Sequence, residues 1–420
     1  MRLLRKAVIT ARTRGVVTML AMAARKVARS VDVRRDQAAD RIEALAPFSV
    51  PDPYQPDTVP RPHLRWQASE HLRLRWYVPE PGRGSGGHQT LFRLVHLLGQ
   101  RGHDSEVAVL HGEHVARTRG EMRRFVREQF GADAPVVWDT DEHTDVDVVL
   151  ASSWQTAYAI TADVRCALRA YVVQDWEPDF YPRGAEQILA ENSYRLGHAH
   201  IAAGPWLAAR LQGIGVAADV FHLGADQVAY YPSEEPRPEA GQHVVFYARP
   251  FTARRCFELG CEALRLLDLA LGPGRLTVSM VGAGIRPFPT PYRARWLGVL
   301  PPAELRRLYA GADAVLVLSA TNPSLVPLEA ALCAAPVVDL RVPSAEGTFE
   351  DGVTGVLAPP SPGGLAAALR GVLEDPAAAR ALGRRARQHA LTRTWDAAAE
   401  TVERHLLAAL RRAAGAPALL

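Results

Sequence analysis

The sequence predicts an α/β protein built of two parallel-sheet domains, and three observations lead there. Its 420 residues exceed the size at which one hydrophobic core stops growing. Short apolar runs alternate with helical stretches along the body of the chain, the pattern of βαβ units and a parallel sheet. A proline-rich segment at residues 232–238 divides that alternation into two halves of similar length. A hydrophobic content of 48% suffices for two cores. Two such domains would face each other across a cleft at the carboxyl ends of their sheets, where sheets of this kind take ligands. The divisions read as a basic helical arm and linker over residues 1–62, a first domain over 63–235, a second over 236–390, and a closing helix over 391–420 that returns toward the first domain.

The arm comes first. Through Arg41 there are eleven Lys or Arg against three Asp, a surplus of +8 in a chain whose net charge is +4, so the body is slightly acidic. A nucleic-acid-binding body is thereby excluded, and the basic arm stands apart. Leu3, Leu4, Val8, Ile9, Val16, Val17, Met19 and Leu20 among the cations permit an amphipathic helix on an anionic membrane surface through residues 1–41. A solvated helix packing on the body, or a signal peptide, fits the same pattern. No apolar run reaches the roughly 20 residues needed to cross a bilayer. Four cysteines without paired spacing, Cys166, Cys256, Cys261 and Cys333, point to a reducing compartment and hence the cytoplasm. Residues 47–62, rich in proline, read as the linker.

The first domain opens with a strand at 72–78, a glycine turn at 82–87, a helix at 90–98 and a strand at 106–110. Apolar runs at 146–150, 170–173 and 200–203 continue the sheet. Gly82-Arg83-Gly84-Ser85-Gly86-Gly87 matches the dinucleotide pattern, with Glu113 where an acidic ribose ligand would stand, so an NAD(P)-dependent oxidoreductase is a rival; Pro79 and Pro81 speak against it. Asp139-Thr140-Asp141 and Asp145-Val146-Asp147 suggest a metal-binding pair, but Asp145 and Asp147 directly precede an apolar run and read as a strand entrance. His111, His114, His198 and His200 form no ligand pattern with carboxylates or cysteines, and no structural metal is expected.

The second domain carries strands at 244–247, 276–281 and 314–318, alternating with helices at 257–271 and 302–310. Residues 321–338 join a polar turn to an apolar helix and a buried strand. Pro327 suits a first helical position, which sets Glu329 in the first turn, where free N–H groups and the dipole attract phosphate. From local spacing alone Glu329 equally caps its own helix.

Several stretches together resemble glycosyltransferase family 4, of the GT-B fold, over about residues 70–400. Phe246-Tyr247-Ala248-Arg249-Pro250 with Arg254 looks like the basic pair at the donor diphosphate. Val281-Gly282-Ala283-Gly284 resembles the glycine turn after the next strand. Trp296-Leu297-Gly298-Val299-Leu300, followed by Glu304-Leu305 and Tyr309, is similar to the loop near the nucleobase. The segment 324–338 resembles the donor signature, and Thr394-Trp395 starts a similar closing helix. Gly86-Gly87-His88-Gln89-Thr90, Val173-Gln174-Asp175-Trp176-Glu177-Pro178 and Asn322-Pro323-Ser324 look like rhamnosyltransferases of the WsaF type, which use dTDP-rhamnose. One departure stands out: where the broader family has the first of two Glu eight positions apart, this chain has Thr321.

The resemblance implies a deoxyhexosyl transfer, of L-rhamnose from dTDP-rhamnose to a saccharide or lipid-linked surface-glycan acceptor.

 The donor is a substrate, and no cofactor is implied. Transfer needs charge stabilisation for the departing diphosphate, orientation of the acceptor hydroxyl, and relief of charge on the sugar ring. Arg249 and Arg254 offer forked contacts to phosphate oxygens, and the N–H groups of Ser324, Leu325 and Val326 supply the rest, so a metal is unnecessary. Arg249 also fits a plain salt bridge at a strand end. The resemblance gives Glu329 the ribose hydroxyls, Leu300 and its loop the base, and Gly86, Gly87 and Gly282 close backbone approaches to the donor. His88 would donate to a phosphate or touch the acceptor, and Asp175 and Glu177 would orient or deprotonate the acceptor hydroxyl. Asp175 equally fits a turn cap. A non-catalytic nucleotide-sugar or glycan-binding protein is the other reading, with Thr321 marking lost activity.

Overall fold

The structure, a computed structural model, describes residues 52–55, 58–110, 115–233, 242–284 and 286–415. The basic arm with the amphipathic helix expected there, much of the linker, Glu113, His111, His114 and most of the boundary at 232–238 lie outside them.

The first sheet is made of β1 (Arg73–Val78), β2 (Asp104–Val109), β3 (Val136–Trp138), β4 (Val148–Ala151), β5 (Leu168–Val173), β6 (Ala199–Ala203) and β7 (Ala218–Phe221). Its spatial order is β3-β2-β1-β4-β5-β6-β7, with every pair parallel. The connections carry α1 (Gly86–Gln100), α2 (Arg119–Phe130), α3 (Trp154–Ala159), α4 (Ala185–Ser193) and α5 (Pro205–Gly213). Strand β4, Val-Val-Leu-Ala, is buried throughout, as a central parallel strand covered on both faces must be.

The second sheet follows with β8 (Gln242–Tyr247), β9 (Leu276–Val281), β10 (Arg293–Gly298), β11 (Ala314–Leu316), β12 (Val337–Leu340) and β13 (Val356–Ala358), in the order β10-β9-β8-β11-β12-β13, again all parallel. Its helices are α6 (Phe257–Leu271), α7 (Pro302–Ala310), α8 (Val326–Leu332), α9 (Pro343–Glu346), α10 (Pro362–Glu374) and α11 (Pro376–Leu391). Alternate residues of β8 feed two cores: Val244 and Phe246 pack with α6 and α10 residues such as Leu264 and Leu369, and Val245 packs with α8 residues such as Leu332.

The last helix, α12 (Trp395–Ala413), packs on α1 and on β5, β6 and β7 of the first sheet. Glu403 accepts from Arg101 (2.6 Å) and lies 2.9 Å from His103 Nε2, while His405 Nε2 meets the Val220 carbonyl at 3.1 Å. The crossing is tight at Gly224, where a Cβ would come within 2.6 Å of the Trp395 backbone.

Four expectations change. Helix α1 begins at Gly86, because Ser85 caps it, so Gly86 and Gly87 belong to its first turn rather than to the preceding loop. Residues 293–298 form the edge strand β10, whose alternating exposure hides it in the sequence. Pro327 is the second residue of α8, not the first. The tail of the linker is anchored, since His63 and Leu64 donate to the carbonyls of Val164 and Cys166, and Arg169 donates to that of Pro60.

Candidate active site

Each sheet has one place where neighbouring strands lead their connections in opposite directions, β1/β4 in the first and β8/β11 in the second. Parallel sheets bind ligands at the carboxyl side of such points. A cavity of about 370 Å³ occupies that location, lined by residues following β1 (Pro79, Arg83 and the start of α1), β4 (Ser152, Ser153), β5 (Gln174 to Phe180), β8 (Tyr247 to Arg255) and β11 (Asn322 to Leu325). Of the residues expected at the site, Gly86, Gly87, His88, Asp175, Glu177, Arg249, Arg254, Ser324 and Leu325 line it. Gly282, Leu300, Val326 and Glu329 are not part of that lining.

Asp175 spans the cleft. Its Oδ1 accepts from the Asn322 N–H at 2.9 Å and from the Trp176 N–H at 2.8 Å, while Oδ2 accepts from the Thr321 hydroxyl at 3.0 Å and lies 3.2 Å from Arg254 Nε. The carboxylate of the first domain therefore meets the second domain at Thr321 and its neighbour. Asn322 strengthens the contact by donating to the carbonyls of Gln174 (2.8 Å) and Ala203 (3.1 Å). Burial pushes Asp175 up and Arg254 down, each partly offset by the charge of the other. Three hydrogen bonds and the adjacent Arg254 charge thus tie the Asp175 carboxylate to the contact between the two domains. The Arg254 guanidinium also stacks over Phe180, 3.9 Å from the ring centroid.

In His88, Nδ1 lies 2.8 Å from Ser85 Oγ and Nε2 3.1 Å from the Pro79 carbonyl, so both nitrogens engage the loop that precedes α1. Burial keeps the ring below its ordinary pKa and therefore neutral. Glu177 accepts from the Trp154 N–H at 3.1 Å and from the Tyr171 hydroxyl. Burial raises its pKa to about 7 against these two donors, and each oxygen keeps a further acceptor position.

Arg249 donates to the Gly282 carbonyl at 3.1 Å and lies near the Tyr247 ring. Gly282 has φ +105, and a Cβ there would come within 2.6 Å of that ring, so glycine is required both by conformation and by space. Opposite it, the absence of side chains at Gly86 and Gly87 opens the N-terminus of α1 to a ligand. Arg83, Gln174, Thr252 and Asn322 also line the cavity; in the sequence Arg83, Gln174 and Asn322 stand only inside motifs, with no role of their own, and Thr252 stands in none. Ser324 Oγ is buried without a partner.

Glu329 packs against Tyr230 and Tyr309 and is raised to about 7 by burial, then by Asp226, with Tyr230 acting the other way. It does not cap α8. An acid whose folded pKa lies above its unfolded value favours folding at low pH, and that contribution disappears as pH rises from about 4.5 through about 7. Glu329→Gln should therefore gain stability relative to the parent between pH 5 and pH 8, by on the order of 3 kcal/mol. Urea denaturation at the two pH values measures it, and an unchanged difference would refute the assignment.

The paired acids read as strand entrances behave so: Asp147 accepts from the Arg73 N–H and guanidinium, and Asp145 pairs with Arg165, at the end of β4 remote from the cleft. His198 and His200 are buried and lowered to about 4 and about 3. Among the described residues no group of three or more His, Cys, Asp or Glu is placed to share a metal ion, and no helix is long and apolar enough to cross a membrane.

Residues 242–370 match the family described as WsaF, C-terminal domain. The solved structure of HepE from Anabaena in complex with UDP-glucose covers 81% of this chain and 100% of its own with a TM-score of 0.64; at 16% identity the likeness concerns the fold. The O-antigen biosynthesis protein RfbC of Myxococcus xanthus is 31% identical over 344 residues, which is 79% of this chain. The chain has the GT-B fold, and its second domain carries the WsaF-type C-terminal domain. It also matches a D-inositol 3-phosphate glycosyltransferase of Segniliparus rotundus, 30% identical over 256 residues and 56% of this chain. It spans 27% of the length of RfbC and 56% of that of the inositol enzyme. The family resemblance carried by Arg249, Gly282 and the 321–338 segment thus agrees with the architecture, and the departure at Thr321 coincides with the Asp175 contact.

Proposed function

We propose that this chain is a glycosyltransferase that moves a deoxyhexose, L-rhamnose from dTDP-rhamnose, onto a saccharide or lipid-linked surface glycan. The observation that carries the reading is the cleft itself, where Arg249 and Arg254 of the second domain face the open N-terminus of α1 across about 370 Å³. Arginine forks and free helical N–H groups suit a diphosphate, and in this reading they meet its charge without a metal. The name of RfbC supports a surface-glycan product, and the UDP-glucose held by HepE supports a nucleotide sugar as donor. Thr321 in place of a Glu suits a sugar that presents a methyl group where glucose has a hydroxyl.

In the reaction, the acceptor oxygen forms a bond to the anomeric carbon while the bond from that carbon to the diphosphate oxygen breaks. The nucleoside diphosphate leaves with the electron pair, and the acceptor proton goes to Glu177, a cleft carboxyl that keeps an acceptor position on each oxygen and pairs with no cation among the described residues. Asp175 acts as a positioning residue: it holds Arg254 and the 321–324 turn in place. In this reading Glu329 serves the ribose and the Leu300 loop the base, and the basic arm at residues 1–41 is assigned to an anionic membrane surface.

The full chain with dTDP-rhamnose and a glycolipid extract should release dTDP, and dTDP-glucose or UDP-glucose should be at least about tenfold poorer. Equal rates with all three donors would remove the rhamnose assignment. Saturable donor binding without release in any acceptor mixture would favour the non-catalytic binding protein.

A further inference from the structure

A second cavity, of about 40 Å³, lies on the other side of the Asn322-Pro323-Ser324 turn from the donor cleft. One water needs roughly 10–15 Å³ on this measure, so the space holds a group of several heavy atoms and no sugar nucleotide. Its lining contains His222, His389 and Arg393 and no acid. Arg393 has neither an ion pair nor a side-chain hydrogen bond among the described residues. Its backbone is pinned, since its carbonyl accepts from the Ala225 N–H at 2.8 Å.

The neutral lining groups point the same way. Ser344 is 3% exposed, lines the cavity, and its hydroxyl has no partner. Ser324 Oγ and His389 Nε2 are likewise buried and unpartnered. The N-terminus of α5 opens here too, with Gly204 as a cap that offers no side chain and Trp206 in the lining. Buried polar groups of this kind are normally satisfied, and donors gathered around an unpaired guanidinium are satisfied together by an oxyanion.

We infer that this cavity is a binding site for a small oxyanion of the phosphate class, separate from the donor cleft. Its contributors come from the first domain (Trp206, His222), the second (Ser344, His389) and the returning segment (Arg393), so the bound anion ties all three together. Free orthophosphate and the phosphoryl end of a larger ligand present the same oxygens.

Calorimetric titration of the full chain with orthophosphate, in the presence of saturating dTDP to occupy the cleft, tests this. One-to-one binding is expected, at least about tenfold weaker in Arg393→Gln and unchanged in Arg249→Gln. Should Arg393→Gln fail to fold, Ser344→Val, which removes the orphan hydroxyl and narrows the space, carries the same expectation. A parallel titration with sn-glycerol 3-phosphate separates the two sources: tighter orthophosphate assigns the free anion, and tighter glycerol phosphate a larger phosphorylated ligand. Absence of saturable binding of either up to about 10 mM overturns the site. So does binding lost in Arg249→Gln and retained in Arg393→Gln, which would locate the anion in the cleft.

Discussion

Glu177→Gln is expected to lower turnover by at least about 10²-fold, and to abolish the dependence of the remaining rate on pH near neutrality. The parent needs Glu177 ionised to take the acceptor proton, and its pKa of about 7 means that kcat/KM climbs as pH rises through 7 and then levels. Glutamine keeps the shape and still accepts from the Trp154 N–H or the Tyr171 hydroxyl, so the loss would be chemical. Steady-state rates from pH 6 to pH 8.5 decide it. An unaltered pH profile in Glu177→Gln would assign the proton to another group. The same carboxyl acts on folding in the opposite sense, since its raised folded pKa stabilises the protein at low pH and this contribution fades between about 4.5 and about 7.

Asp175→Asn is expected to cut turnover by about 10²-fold without weakening dTDP. The amide oxygen can still accept from the Asn322 N–H, but an amide nitrogen turned toward Arg254 sets donor against donor. The cross-cleft bracket loosens, and Arg254 becomes free to pair with the diphosphate. A lower kcat with an equal or smaller Kd for dTDP is the signature of a positioning residue. A residue that merely supports the fold would lose affinity and turnover together, and that outcome would overturn the assignment.

Much of the fold could be read in the sequence because parallel sheets repeat a simple pattern. The helices expected at 257–271 and 302–310 span the same residues in the structure. Strands β3, β7 and β13 escaped notice because three or four residues give too little periodicity. Arg75, a charged residue within β1, is fully buried, because Glu106 (2.6 Å), Asp163 (2.8 Å) and the Thr144 carbonyl (2.6 Å) surround its guanidinium. At the site, the family-like motifs picked out Asp175, Glu177, Arg249 and Arg254, all of which line the cleft. Their partners were beyond reach: Asn322 lies 147 positions from Asp175, and Arg254 is likewise contributed by the other domain. Whether a carboxylate is free or saturated depends on such distant donors, which local spacing does not encode.

The return of α12 to the first sheet has a consequence for biosynthesis. Arg101 and Glu403, which meet across it, are 302 positions apart. A nascent chain that has already emitted all seven strands of its first sheet still lacks one of the helices that cover it, and must wait until the last helix leaves the ribosome. During that interval the surfaces of α1 and of β5, β6 and β7 remain uncovered, so the N-terminal half is the part of the nascent chain that most needs chaperone protection.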